Sequence, residues 1–286
     1  MPDRPMTDLS YYPGCSLVTT ARESNSSLMH LFRHVGFNLI ELEGWNCCGS
    51  SSAHSIDSPL AFDLACRNLA LASPDRPLLV ACPSCILRLR HAYLHLKEDP
   101  EARSRYRRKW GKSFDPGLNI IHYFELLDQI DLPSFCNGSA RRLEGLKFVP
   151  YYGCMLAYPP LMRHQKNYYG LMEKILSSLG AGTQNWSYSS RCCGTFLTVA
   201  RPEIVTPMIN GIIEAAKAAG SDCIITACAM CHMNLEVRCT LEEKIPVLHF
   251  SEIVALALGI GKSHQKFWFS RHLVDPNPML KALELF

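Results

Sequence analysis

The chain has 286 residues, a formal net charge of +3, 48% hydrophobic and 19% charged residues, a globular balance sufficient for one large α/β domain or two of ordinary size. So small a charge argues for no particular polyanion, and the basic run RSRYRRKW at 103–110 reads as a solvated helix end, without the broad basic face and module that nucleic-acid binding needs. MPDRPMTDLS at the N-terminus has no apolar signal core, no stretch of about 18 apolar residues follows, and the chain reads as cytoplasmic, where fourteen cysteines mean metal or redox chemistry and not disulfide staples.

In chain order, SYYPGCS (10–16) is an apolar run that ends on Cys15. NSSLMHLFRHVG (25–36) has helical periodicity and stops on glycine, as helices prefer. FNLIELEG (37–44) is a second apolar stretch, and it leads to a cysteine doublet, Cys47-Cys48, followed by Gly49. LAFDLACRNLALA (60–72) is helical and places Cys66 in the core as a small hydrophobe. RPLLVACPSC (76–85) is a short buried strand that runs into Cys82 and Cys85. Residues 86–146 read as a crossover: one long charged helix, ILRLRHAYLHLKEDPEARSRYRRKW, a Pro/Gly loop, FDPGLN, and another short helix.

The pattern then repeats. PYYGCML (150–156) carries Cys154, YYGLMEKILSSLG (168–180) is helical, TQNWSYSS (183–190) leads to Cys192-Cys193 before Gly194, and SDCIITACAMC (221–231) ends on Cys228 and Cys231. The offset is 139 residues from Cys15 to Cys154, 145 for both doublet cysteines, and 146 for both CxxC cysteines. Five cysteines that recur in order with so little drift indicate an internal repeat. Alternating strands and helices make each repeat a small parallel α/β (Rossmann-like) unit, giving two tandem pseudo-symmetric halves, 1–146 with its crossover and 147–286 with a C-terminal extension. Ligands of such sheets sit beyond the carboxyl ends of the strands, which is where Cys15, Cys82, Cys154 and Cys228 fall.

Several chemistries can use these thiols. CPSC with CAMC could hold one structural zinc, which leaves both doublets unexplained. CPSC alone fits a dithiol after a strand, which needs no distant doublet. A cubane cluster takes four thiolates, often from one tight run, and no such run occurs. A larger or opened iron–sulfur cluster is the simplest use of five thiolates per half, because adjacent cysteines can reach neighbouring irons. Cys223 starts a strand and reads as packing. Gly49 and Gly194 read as allowing close backbone approach to a cluster, and Trp45 and Trp186 as cover or core. Tyr11, Tyr12, Tyr151 and Tyr152 read as strand-end packing. His54, after the first doublet, and His232, after CAMC, are candidate substrate contacts.

The arrangement C-x31-CCG-x32-CxxC followed by C-x37-CCG-x33-CxxC resembles the cysteine-rich CCG domain in tandem and, over nearly the whole chain, the B subunit family of heterodisulfide reductase. The resemblance implies two non-cubane [4Fe-4S] clusters, one held by Cys15, Cys47, Cys48, Cys82 and Cys85 and the other by Cys154, Cys192, Cys193, Cys228 and Cys231. It implies an oxidoreductase subunit that makes or breaks a disulfide, thiol or persulfide bond by one-electron steps between the clusters. It further implies a ferredoxin-like C subunit and a flavin-containing A subunit as partners, since this chain has no ferredoxin-type run and no GxGxxG turn. A bacterial sulfur-oxidising complex is one setting. The rival is an electron-transfer or zinc-stabilised CCG-domain subunit of another oxidoreductase, with no substrate of its own.

Overall fold

Short buried runs such as LLV and CIIT, apolar at every position, suit the interior of a parallel sheet covered on both faces. The computed structural model describes residues 6–50, 52–112, 114–136, 143–157, 167–260 and 263–285, and among them these runs form two four-stranded, all-parallel sheets. The first contains β1 (Thr7–Tyr12), β2 (Phe37–Glu41), β3 (Leu78–Val80) and β4 (Ile120–His122) in the order β2-β1-β3-β4. The second contains β5 (Lys147–Tyr151), β6 (Gly182–Thr183), β7 (Cys223–Thr226) and β8 (Val247–His249) in the matching order β6-β5-β7-β8. The chain is thus α/β, with the repeat in the cysteines mirrored in the sheets. In both, the strand order reverses beside the first strand, between β1 and β3 and between β5 and β7, which is where a doubly wound sheet opens a crevice.

The fold departs from the sequence reading in three places. The long charged helix is two helices, Pro83–Glu98 and Pro100–Trp110. Pro100 cannot continue the first helix, and the Asp99 carboxylate accepts the backbone N–H groups of Glu101 and Ala102 at 2.9 Å, capping the second. The crossover and the C-terminal extension each conceal a three-residue strand, β4 and β8, followed at once by a helix, Tyr123–Leu127 and Phe250–Ala257. Both helices start with a histidine cap and a glutamate three residues on, His122 with Glu125 and His249 with Glu252, in reciprocal capping boxes. TQNWSYSS contributes almost nothing to a strand: β6 is only two residues long.

The halves are packed as one body. An apolar core runs from Leu9 and Leu79 of the first sheet through Tyr123, Phe124 and Phe250 to Phe148 and Ile225 of the second, while each outer helical layer has a core of its own. Helix Arg22–His34 packs on Phe250–Ala257, and Leu171–Ser178 packs on Tyr123–Leu127, so the halves exchange helices across the pseudo-twofold. Buried bonds tie the seam, including Ser27 to Ser251 at 2.7 Å and Tyr123 to the Ala227 carbonyl at 3.1 Å. Cys66 and Cys223 are buried in helix Ser58–Leu71 and at the start of β7, as packing residues should be. No helix among the described residues is long and apolar enough to cross a membrane.

Candidate metal centres

All three cysteine motifs of a half lie beyond the carboxyl ends of its strands. Cys15 follows β1, the doublet Cys47-Cys48 follows β2, and Cys82 ends the loop after β3 and heads helix Pro83–Glu98. In the second half Cys154, Cys192-Cys193 and Cys228 hold the same places after β5, β6 and β7. The crevice between β1 and β3 therefore receives five thiols. Cys15 Sγ is 3.8 Å from Cys47 Sγ and Cys48 Sγ is 3.1 Å from Cys85 Sγ, with Cys82 hydrogen-bonded to Cys85. In the second crevice Cys154 Sγ is 3.7 Å from Cys192 Sγ and Cys193 Sγ is 3.4 Å from Cys231 Sγ, with Cys228 against Cys231. Among the described residues no disulfide forms.

Five thiols, all buried or half-buried except the exposed Cys192, would not gather for packing alone, and their proton affinities are split. Hydrogen bonds with Cys15, Cys85, Cys154 and Cys231 hold the pKa values of Cys47, Cys82, Cys192 and Cys193 respectively below that of an ordinary thiol. Those four partners are raised, with burial adding to the rise. Each crevice thus gathers thiols whose proton affinities are pulled apart, and thiolate sulfur is the soft donor that iron or zinc takes up.

The doublet loops are fixed by matching devices. The buried Tyr12 hydroxyl donates to the Asn46 carbonyl at 2.7 Å, and the Tyr151 hydroxyl donates to the Arg191 carbonyl at 2.5 Å, each just before a doublet. Burial first, then the neighbouring thiols, push both phenol pKa values far up, so both remain donors. Trp45 packs edge-on against Tyr12, and Trp186 packs on Tyr151. Asn46 and Asn68 exchange backbone–side-chain bonds at 3.0 and 2.9 Å, and the Asn234 amide donates to the Cys193 carbonyl at 2.7 Å.

The glycines after the doublets approach sulfur through their N–H groups, with Gly194 N 3.3 Å from Cys192 Sγ and the Gly49 N–H bonded to Cys47, and two further glycines approach it with their Cα. A Cβ on Gly14 would lie 3.0 Å from Cys85 Sγ, and one on Gly153 would lie 3.3 Å from Cys231 Sγ. At Gly49 and Gly194 the added carbon would instead strike Ala61 backbone at 2.8 Å and Val205 at 3.0 Å, so these two make room for the following helices. The sequence reading missed Gly14 and Gly153, and it undervalued Tyr12 and Tyr151. Their shared signal is the 139-residue offset that each pair has in common with Cys15 and Cys154.

The two thiol groups approach each other across the seam. The short helix Cys15–Val18 contacts helix Ala229–Arg238, and Gly153–Ala157 contacts Pro83–Glu98. A cavity of about 20 Å³ beside Cys154, Cys192, Cys193, Cys228 and Cys231 is closed by Pro83 and Ser84 of the first half. Its rim carries Phe196, whose ring meets His54 at 6.1 Å between centroids, while Leu197 and Val199 are exposed beyond. His54 thus stands at this mouth. His232 does not line the cavity; its ring lies against His272, with Nε2 3.8 Å from Glu236.

A tandem α/β protein with five thiols in each crevice defines a class of cysteine-rich metal-binding subunit. Comparison with known proteins places it more narrowly. The cysteine-rich CCG domain matches twice, over residues 9–90 and 148–236. The chain is 31% identical, over 88% of its length and 93% of the relative's, to a protein of Wolinella succinogenes called 8-methylmenaquinol:fumarate reductase membrane anchor subunit. It is 26% identical to the B subunit of the ferredoxin:CoB-CoM heterodisulfide reductase of Methanosarcina mazei, over 90% of this chain and 91% of that one. The crystal structure of a hypothetical protein from Helicobacter pylori shares the fold at a TM-score of 0.74 and 13% identity, covering 94% of this chain and 52% of that one. The chain belongs to the family of tandem CCG-domain proteins that includes the B subunit of heterodisulfide reductase. Family and relatives together make it an iron–sulfur oxidoreductase subunit of a multi-subunit complex.

Proposed function

We propose that this subunit makes or breaks a sulfur–sulfur bond between two non-cubane [4Fe-4S] clusters. In this reading Cys15, Cys47, Cys48, Cys82 and Cys85 hold one cluster in a half comprising residues 1–146. Cys154, Cys192, Cys193, Cys228 and Cys231 hold the other in residues 147–286. The observation that carries the reading is the convergence of five thiols in each crevice, with the two crevices brought together at one seam. When bound, such clusters supply or accept electrons singly and offer iron to sulfur.

The chain's own residues hold and shield the site. Tyr12 and Tyr151 fix the doublet loops, and Gly14 and Gly153 let the backbone close on Cys85 and Cys231. His54, beside Phe196, takes the substrate-contacting role. The net reaction is RS–SR′ + 2 e⁻ + 2 H⁺ ⇌ RSH + R′SH. Its two electrons come from or go to a ferredoxin-like C subunit and a flavin-containing A subunit, and a bacterial sulfur-oxidising complex is one setting.

The relative named as a fumarate reductase anchor subunit favours a second reading, in which the chain only relays electrons for a partner that holds the substrate. The separating experiment adds small thiols to anaerobically purified, oxidised protein and follows the EPR spectrum, with disulfide reduction by reduced viologen dye measured alongside. A new thiol-dependent signal, lost in both Cys47→Ser and Cys192→Ser, supports sulfur chemistry at the seam. A spectrum indifferent to every thiol, with no disulfide reduction, leaves the relay reading.

A further inference from the structure

Apart from the thiols, four ionisable side chains meet at one point beneath helix Ala229–Arg238. His232, Glu236, Glu252 and His272 have side-chain exposures of 11%, 4%, 0% and 1%. His272 Nε2 lies 3.2 Å from Glu252 Oε2, and its Nδ1 lies 3.4 Å from Glu236 Oε1. His232 Nε2, both ring nitrogens of His272 and Glu236 Oε1 are buried in these ion-pair contacts but lie outside good hydrogen-bond geometry. One donor atom each from His232, Glu252 and His272 lie within 4.8 Å of one another. The group borders a cavity of about 220 Å³ that Thr20 and Ser24 of the first half also line.

The pseudo-twofold shows what stands at the matching place. Glu125 and Glu252 complete equivalent capping boxes, and Arg90 follows Cys82 by eight residues as Glu236 follows Cys228 by eight. In the first half the Arg90 guanidinium, 2% exposed, pairs with Glu125 at 2.5 Å. In the second half a carboxylate replaces that cation, so two buried carboxylates face each other and require positive charge. The nearby Arg271 is engaged by Glu23 at 3.0 Å. One imidazolium leaves the pair a charge short. A divalent cation between neutral imidazoles balances both carboxylates.

We infer that His232, Glu252 and His272 bind one divalent transition-metal ion, with Glu236 accepting the second ring N–H of His272 and orienting it. Two imidazoles and a carboxylate suit zinc and its first-row neighbours. Ligands at about 2.0–2.1 Å around a tetrahedral centre stand about 3.3 Å apart, close to the observed 3.2 Å between His272 Nε2 and Glu252 Oε2. A carboxylate behind a ligating histidine is the common outer partner of such sites. Glu236 is itself held by the Leu273 N–H at 3.0 Å. Three protein ligands leave a fourth position for water from the cavity. Glu252 also accepts from Ser24 across the seam at 3.2 Å, so the ion would brace the junction between halves. This inference does not depend on the iron–sulfur reading.

The test is zinc binding to the whole protein, purified without oxygen and carrying its iron and sulfide. Added Zn²⁺ is expected to be retained at about one per chain, with only nitrogen and oxygen neighbours in X-ray absorption. His272→Gln should lower zinc affinity at least about tenfold and Glu236→Gln about 10- to 100-fold, with iron and sulfide per chain unchanged. Equal zinc retention by both variants, sulfur neighbours around zinc in the wild type, or no retained zinc overturns the inference. If His272→Gln does not fold, the near-isosteric Glu236→Gln and the wild-type absorption spectrum still decide.

Discussion

Replacing Gly14 by alanine tests how the backbone serves the first thiol group. Gly14 has φ 77° and ψ 161°, a region open essentially to glycine alone, so any side chain there costs about 1–3 kcal/mol of strain. The new Cβ would also stand 3.0 Å from Cys85 Sγ, about 0.5–1 Å inside ordinary contact. Cys85 is fixed on helix Pro83–Glu98, and Cys82 and Cys48 touch it, so the sulfur cannot yield alone. Gly111→Ala is the control: its φ is +67°, and its Cβ would meet nothing within 4 Å. It should cost about 1–2 kcal/mol through left-handed strain alone. The assay pairs denaturant unfolding with iron and acid-labile sulfide per folded chain after anaerobic purification. The control should keep its full iron, whereas Gly14→Ala should lose up to half, all from the first group. Gly153→Ala, with its contact at 3.3 Å, should do the same to the second group more mildly. A folded Gly14→Ala protein with wild-type iron and sulfide would refute the reasoning.

Three further outcomes follow from the geometry. Tyr12→Phe and Tyr151→Phe each remove one bond to the chain before a doublet; each should cost about 1 kcal/mol and speed amide hydrogen exchange at that doublet alone, and unchanged protection would contradict the pinning role. His122 is pushed down to about 3, mainly by burial, so the folded chain keeps it neutral while the unfolded chain protonates near pH 6.5. Its contribution is complete above pH 6.5 and is lost as pH falls towards 3; between pH 7 and 5 the loss is about 2 kcal/mol. His122→Asn, which retains a capping acceptor, should flatten that part of the pH dependence of unfolding, and an unaltered slope would show that His122 is not its source. Cys66→Ala and Cys223→Ala should cost about 1 kcal/mol each and leave iron content unchanged, whereas lost iron would make either a ligand.

The repeat and the gathering of thiols in both crevices were legible because the chemistry is written locally. A strand must end where a cysteine is needed, and the doublet and CxxC each place two sulfurs without help from tertiary structure. β4 and β8 were hidden because three buried residues inside IIHYF and VLHFSE look like the start of the helix that follows. The break at Asp99-Pro100 was visible as a proline, yet the charged periodicity on both sides argued for continuity. The closeness of Gly14 to Cys85 depends on packing between residues 71 positions apart. The His232, Glu236, Glu252 and His272 group has no local spacing signal at all beyond His232 and Glu236 on one helix face. It exists only because β8 and the C-terminal extension fold back on the CAMC helix.

The most direct measurement counts iron, acid-labile sulfide and zinc per chain in anaerobically purified wild type, Cys47→Ser and Cys192→Ser. Two five-thiol sites predict about eight irons with matching sulfide in the wild type and about four in each variant. Zinc at the cysteines without iron or sulfide, or an iron content that neither substitution lowers, would contradict the assignment of the ten cysteines to two iron–sulfur clusters.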